Sequence, residues 1–213
     1  MTSKDSYDGQ ADGIAQERLR DGCRPPRLTD WWLFLRKFIR HGTAIGAVAP
    51  SSMWMARAVL KGIDFDKARF IVELGPGTGP ISAELRRRAH AKCRLFLVER
   101  DADFRNRLKE RFPNDEVIQG DACDLELFLA RCGVQTVDHI VSGLPLPWFT
   151  PQDRERLLDA SRKCLAIEGS FRQLTYMPWV HGHVYRRYFH EIRTRLVFRN
   201  LPPAAVYVCQ GPR

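Results

Sequence analysis

The chain has 213 residues, 44% of them hydrophobic and 10% aromatic, enough to bury one good core in what this length favours as a single domain. Its 34 Lys and Arg against 25 Asp and Glu leave a net charge of +9, a surplus that attracts polyanions without choosing between nucleic acid and anionic lipid. Six scattered cysteines with no C-x-x-C pair argue against a disulfide framework or a zinc site and for a reducing compartment, and no stretch qualifies as a membrane span.

Residues 1–27 hold Asp, Gly, Ser and Gln without an apolar core stretch, which predicts a disordered polar tail and no secretory signal. Asp30 then caps a predicted helix over 31–40. At about 100° per residue, Trp31, Trp32, Phe34, Leu35, Phe38 and Ile39 share one broad arc, and Arg36, Lys37 and Arg40 occupy the opposite one. That composition suits a helix lying in a membrane interface and, equally, a helix docked on its own domain. After a loop over 42–50, Ser51 or Ser52 caps a second helix running to about Lys61 and stopped by Gly62.

From Phe70 the pattern alternates. Apolar runs predict strands at 70–74, 95–99, 116–119, 137–142 and 169–176; between them, helices are expected at 81–90, 103–112, 125–132 and 151–165. Residues 195–199 and 204–209 read as two strands joined by a turn through Asn200, Leu201, Pro202 and Pro203. Strands separated by helices demand right-handed crossovers, so the fold class is α/β: a mostly parallel seven-stranded sheet with helices on both faces and an antiparallel last strand. The expected division is a tail over 1–27, N-terminal helices over 28–61 and a sheet domain over 62–213.

In such a sheet ligands collect beyond the carboxyl ends of the strands, where the first glycine loop lies. Here that loop is Gly75-Pro76-Gly77-Thr78-Gly79, permissive enough for the main chain to approach a nucleoside with a bulky amino-acid extension. Glu73 precedes it at the end of an apolar strand, where an idle charge is costly, and it suits a bond network around an ammonium group. Glu99 ends the second strand, placed to accept from both ribose hydroxyls, and Asp121, beside Ala122, follows the third, placed to accept from an adenine amino group. Each alone reads as a surface charge at a strand end; the three together with the loop favour function. A dinucleotide oxidoreductase is the obvious rival, but its G-x-G-x-x-G spacing is absent.

These segments resemble the class I methyltransferases, whose first three motifs match E-L-G-P-G-T-G, the acidic strand end and G-D-A. The resemblance implies S-adenosylmethionine as cofactor, S-adenosylhomocysteine as product, and contacts from Ser142 and Gly143. After the fourth strand, methyltransferases of adenine rings place an Asn or Asp followed by Pro and an aromatic residue. Ser142-Gly143-Leu144-Pro145-Leu146-Pro147-Trp148 lacks that amide and is similar instead to the bacterial phospholipid N-methyltransferases. That likeness extends from about Trp31 through residues 46–52 to 200–204. It implies methylation of phosphatidylethanolamine and its mono- and dimethyl forms toward phosphatidylcholine, with ornithine-lipid enzymes as plausible relatives.

An amine acceptor that gains methyls becomes a permanent cation, which aromatic faces attract. Tyr176 is the first choice for that catalytic contact, followed by Trp148 and Trp179, with Leu144 and Pro145 lining the acceptor; ordinary packing is the bland alternative for each aromatic. Arg186 and Arg187, or the helix start at Ser51, are candidates for a lipid phosphate. His181 and His183 lack further ligands for a metal, so none is expected, and proton removal by either histidine or by bulk water stays open. The expectation is an enzyme bound peripherally to the inner face of the cytoplasmic membrane. Its helix 31–40 rests on anionic lipid, and neither nucleic acid nor a protein partner is expected. The competing readings are an RNA adenine dimethyltransferase and an idle membrane-binding module that keeps only the fold.

Overall fold

The computed structural model describes residues 50–177, 182–198 and 203–213. The expected interface helix over 31–40, Trp179 and His181 lie outside the described residues. In chain order the elements are α1 (Pro50–Val59), β1 (Phe70–Leu74), α2 (Pro80–Arg88), β2 (Arg94–Glu99), α3 (Ala102–Arg111), β3 (Glu116–Gln119), α4 (Leu125–Arg131), β4 (Val137–Ser142), α5 (Pro151–Cys164), β5 (Leu165–Thr175), α6 (Gly182–Tyr185), β6 (Phe189–Val197) and β7 (Ala204–Pro212). Single 3₁₀ turns at Ala122–Asp124 and Leu146–Trp148 follow β3 and β4.

The strands form one sheet in the order β3-β2-β1-β4-β5-β7-β6. Neighbours from β3 to β5 pair in parallel, and β7 runs antiparallel to both β5 and β6. The order reverses between β1 and β4, which opens a crevice at their carboxyl ends. Alternate residues of the central strands bury opposite faces. Val72, Phe96, Ile140 and Phe171 pack with Leu125, Leu129, Leu157 and Leu158 from α4 and α5. Ile71, Leu95, Val141 and Val206 pack with Ala56, Val59, Ile81 and Leu85 from α1 and α2. This double burial explains why β1 and β2 read as nearly continuous apolar runs.

Several boundaries differ from expectation. Helix α1 begins at Pro50, so Ser51 and Ser52 lie inside its first turn instead of capping it; a proline fits the first helical position, where its missing N–H is no loss. Strand β5 begins at Leu165, not 169, with its pairing to β4 interrupted by an irregularity between Val137 and His139. Strand β6 begins at Phe189, well before residue 195.

A buried cation ties α1 to the sheet. Arg172 of β5 is 3% exposed and donates through Nη1 to the carbonyl oxygens of Val59 (3.0 Å) and Lys61 (2.8 Å), the unsatisfied acceptors at the end of α1. Its Nε donates to Ser170 Oγ at 2.9 Å, and burial pushes the guanidinium down to about 10. Arg195 of β6 adds a second donor to the Lys61 carbonyl at 2.6 Å.

Candidate functional site

Register brings the expected residues to one edge. Leu74 pairs with both Val98 and Ser142, so Gly75 stands level with Glu99 and Gly143. Ser142 pairs with Gln173, and Leu174, one residue on, pairs with Val206, which pairs in turn with Arg195. The glycine loop, the end of β2, the turn after β4 and the ends of β5 and β6 therefore share the carboxyl edge of the sheet.

The loop is shaped by what surrounds it. Gly75, Gly77 and Gly79 have φ of 70°, 57° and 80°, the left-handed region that glycine enters without penalty. A Cβ on Gly75 would stand 2.6 Å from Leu144 Cδ2, and one on Gly143 would stand 3.1 Å from the Gly75 carbonyl oxygen. The turn after β4 thus packs directly on the glycine loop. Gly79 precedes α2, which starts at Pro80 and leaves its first N–H groups facing the loop.

Two buried carboxylates organise this half of the edge. Glu99, 3% exposed, accepts the Gly77 N–H on Oε2 (3.0 Å) and the Asp101 N–H on Oε1 (3.0 Å). A carboxylate offers about four acceptor positions, so roughly two remain, which is what a ribose diol asks for. Burial raises its pKa, opposed by the N–H donors of Asp101 and Gly77. Glu73 is 1% exposed and accepts from Ser82 Oγ of α2 at 2.6 Å. Burial pushes it up to about 8, with the Ser82 bond pulling it down and the charge of Glu99 pushing further up. A carboxyl held neutral beside a crevice is poised to ionise when a cation arrives.

Asp121 is more open: its Oδ1 accepts from the Cys123 N–H at 2.9 Å, capping the 3₁₀ turn, and Arg100 Nη1 lies 4.0 Å from Oδ2. Ala122 beside it is buried. Gly120 is required by packing, since a Cβ there would stand 2.2 Å from the Phe128 ring. Open glycine backbone, a half-satisfied buried carboxylate and a neutral buried acid next to it fit a nucleoside carrying a cationic amino-acid chain.

The acceptor half differs. Ser142 is fully buried, and its Oγ accepts from the Leu144 N–H at 3.3 Å. Gln173, which the sequence did not single out, is fully buried and donates from Nε2 to the carbonyl oxygens of Leu144 (2.6 Å) and Leu174 (2.7 Å). Two carbonyl partners fix the amide's orientation, so its Oε1 faces away with no partner among the described residues. Tyr207, cross-strand neighbour of Gln173, also buries a hydroxyl without a partner among the described residues. Pro145 is partly buried beside Leu144. Tyr176 is 39% exposed at the end of β5, its hydroxyl 3.2 Å from Met55 Sδ of α1, and Trp148 is 38% exposed after β4.

Some expected contacts do not gather here. Arg186 and Arg187 precede β6 at its amino-terminal end, across the sheet from the glycine loop, and Arg187 Nη1 lies 3.6 Å from Glu155 Oε1 of α5. They form no phosphate fork at this edge, because β6 runs parallel to β5 and starts at the far end. Ser51 lies in the first turn of α1, and its side chain is outside the described residues. Among the described residues no group of three or more His, Cys, Asp or Glu stands together as a metal would need.

The family described as methyltransferase domain matches residues 71–169. The chain is 44% identical over 187 residues to the ornithine lipid N-methyltransferase of Singulisphaera acidiphila, covering 86% of this chain and 97% of that protein. It is 34% identical over 110 residues to ribosomal RNA small subunit methyltransferase A of Acidobacterium capsulatum, half of this chain and 37% of that one. In structure it is similar to a TehB-like SAM-dependent methyltransferase of Corynebacterium glutamicum, with a TM-score of 0.58 at 15% identity over 84% of this chain and 96% of the other. Near-complete alignment to a lipid enzyme, on a sheet whose carboxyl edge carries the three motifs, places the chain in the class I S-adenosylmethionine-dependent methyltransferases, within the bacterial lipid N-methyltransferases.

Proposed function

We propose that the protein methylates the amine of an ornithine lipid at a membrane surface. The observation that carries this reading is the 44% identity, spanning 97% of the relative, to a protein named for that activity. It moves the substrate away from phosphatidylethanolamine, the head group first expected, toward the ornithine lipid named as its relative. An ornithine head group brings an alkyl amine and no phosphate, and Arg186 and Arg187, the pair expected to hold a phosphate, lie at the far end of the sheet.

Bound S-adenosylmethionine supplies a sulfonium methyl, which the neutral amine takes in line as the amine's proton leaves, giving S-adenosylhomocysteine. In this reading the loop from Gly75 to Gly79 follows the amino-acid part of the cofactor, with Glu73 ionising against its ammonium. Glu99 accepts from the ribose hydroxyls while holding the Gly77 N–H, and Asp121 with Ala122 meets the adenine. Ser142, Gly143, Leu144 and Pro145 wall the space between cofactor and acceptor. Tyr176 and Trp148, both partly exposed at that edge, present ring faces to an amine that grows more cationic with each methyl.

A peripheral membrane location goes with this substrate; no described helix is long and apolar enough to cross a membrane. The test is transfer of labelled methyl groups from S-adenosylmethionine to purified ornithine lipid, phosphatidylethanolamine and ribosomal RNA in parallel. Label in ornithine lipid is the expected result. Label confined to phosphatidylethanolamine would restore the first head group, and label confined to RNA would overturn the lipid reading.

A further inference from the structure

Large apolar side chains are not spread evenly over the exposed surface. Among the described residues eight stand out, and six of them gather at the carboxyl edge: Trp148 after β4, Tyr176 after β5, Leu196 and Phe198 at the end of β6, and Met53 and Trp54 beside the Met55 that meets Tyr176. Of the other two, Ile167 lies near the start of β5 at the opposite edge and Leu127 in the first turn of α4, after β3. Scattered exposed apolar residues need no explanation, but concentration at one edge does.

Register shows how far this edge projects. Arg195 stands level with Gly75 through Val206 and Leu174, so Leu196 is one residue and Phe198 three residues beyond the glycine loop. At about 3.3 Å per residue, Val197 at the end of β6 stands roughly 7 Å past the loop, and Phe198 follows it in the turn. It is 76% exposed, and Leu196 is 58% exposed. Tyr176 and α1 complete the same rim through the Tyr176–Met55 contact, and Arg57, 43% exposed, lies over the Trp54 ring at 5.7 Å. Arg57 also lies 3.8 Å from Glu84 Oε1, and a cation among exposed aromatic and aliphatic side chains suits a bilayer interface, whose head groups are anionic and whose next layer is apolar.

The partner's chemistry follows from the substrate. Every methylene of a lipid tail adds its own cost of transfer to water, so a two-chain lipid keeps its tails in the bilayer while its amine reacts. The edge carrying the methyl donor must therefore come to the membrane, and whatever side chains ring that edge meet the lipid surface first. We propose that Leu196 and Phe198 at the end of β6, together with Trp148, Tyr176 and the first turns of α1, form a membrane-seating rim that sets the carboxyl edge against the bilayer. The inference rests on the lipid reading for the identity of its partner and is independent of the expected helix over 31–40.

The test compares the wild type, a Leu196→Glu/Phe198→Glu double variant and Ile167→Glu, which places the same charge at the opposite edge. Each is sedimented with vesicles of phosphatidylglycerol containing ornithine lipid and assayed for methyl transfer to that lipid in vesicles and to a short-chain ornithine amide in solution. The double variant is expected to bind vesicles roughly tenfold more weakly or worse. It should methylate vesicle-borne lipid correspondingly slowly, while keeping its melting temperature and its rate on the soluble amide; Ile167→Glu behaves as wild type. Equal losses in Ile167→Glu, or full vesicle binding by the double variant, would overturn the rim. A fall in melting temperature on its own would overturn it in favour of a rim covered by residues 1–49, and loss of a concentration-dependent dimer in favour of a second copy of the chain. A wild type that binds vesicles through the rim yet labels no ornithine substrate would instead fail the functional reading and leave the surface standing.

Discussion

The two halves of the carboxyl edge are built on opposite plans. From β1 to β3 the functional groups are polar, inward and already bonded: both oxygens of Glu99 hold backbone N–H groups and Glu73 holds Ser82. From β4 to β6 the exposed groups are apolar and outward, while Gln173 and Tyr207 bury polar atoms that nothing in the described protein satisfies. The first half is pre-organised around a small charged molecule, with little left to rearrange on binding. The second keeps its side chains for something large and variable arriving from outside. A methyl donor is the same in every turnover, whereas a lipid arrives with different tails and successive methylation states, so rigidity suits one half and open surface the other.

The strongest way to break this contrast is Glu99→Ala. It removes the proposed acceptor for the ribose and orphans the Gly77 and Asp101 N–H groups, so S-adenosylmethionine affinity by calorimetry should fall about 100-fold, the scale of two charge-assisted hydrogen bonds. Vesicle binding should not change; if it falls equally, the halves are not independent. Gly75→Ala strikes where they touch. Its Cβ meets Leu144 at 2.6 Å in a backbone with φ of 70°, and urea unfolding should show a loss of about 1–2 kcal/mol or more.

Acidity sharpens the comparison further. The Glu73 carboxyl is raised from 4.5 to about 8 by burial, so it imposes no penalty on the folded state below pH 4.5, where it is protonated folded or unfolded. As pH rises the unfolded chain ionises first, and its contribution to stability is lost progressively until about pH 8. Glu73→Gln should match the wild type in melting temperature near pH 4.5 and exceed it at pH 8; the reverse order would mean that the carboxylate is ionised in the folded protein. The smallest effect is expected from Tyr207→Phe, which deletes a buried hydroxyl without a partner among the described residues and should leave stability unchanged or raise it by up to about 1 kcal/mol in urea melts.

What the sequence disclosed follows from what is local. β1, β3 and β4 have the boundaries read from their apolar runs, and the glycine loop with Glu99 and Asp121 was visible because each lies at the end of such a run. The early part of β6 was hidden because His190, Glu191, Arg193 and Thr194 are exposed on an edge strand, where no apolar alternation is needed. β5 was read short because Ile167 and Glu168 are exposed where its pairing to β4 is irregular. Gln173 was missed for a different reason. Its partners are its neighbour's carbonyl and that of Leu144, 29 residues away, joined only through strand register. Ser82 was missed likewise, since only the turn from β1 into α2 folds it back over Glu73. The expected phosphate role of Arg186 and Arg187 ignored strand direction, which puts the start of β6 at the wrong end of the sheet.

The contact between Gly75 and Leu144 bears on how such an enzyme changes its diet. Because a Cβ on Gly75 would stand 2.6 Å from the Leu144 side chain, a change at residue 144 made to reshape the proposed acceptor pocket would press on the proposed cofactor loop as well. On that placement, head-group preference is freer to drift through positions remote from the boundary, such as Trp148 and Tyr176, than through Leu144.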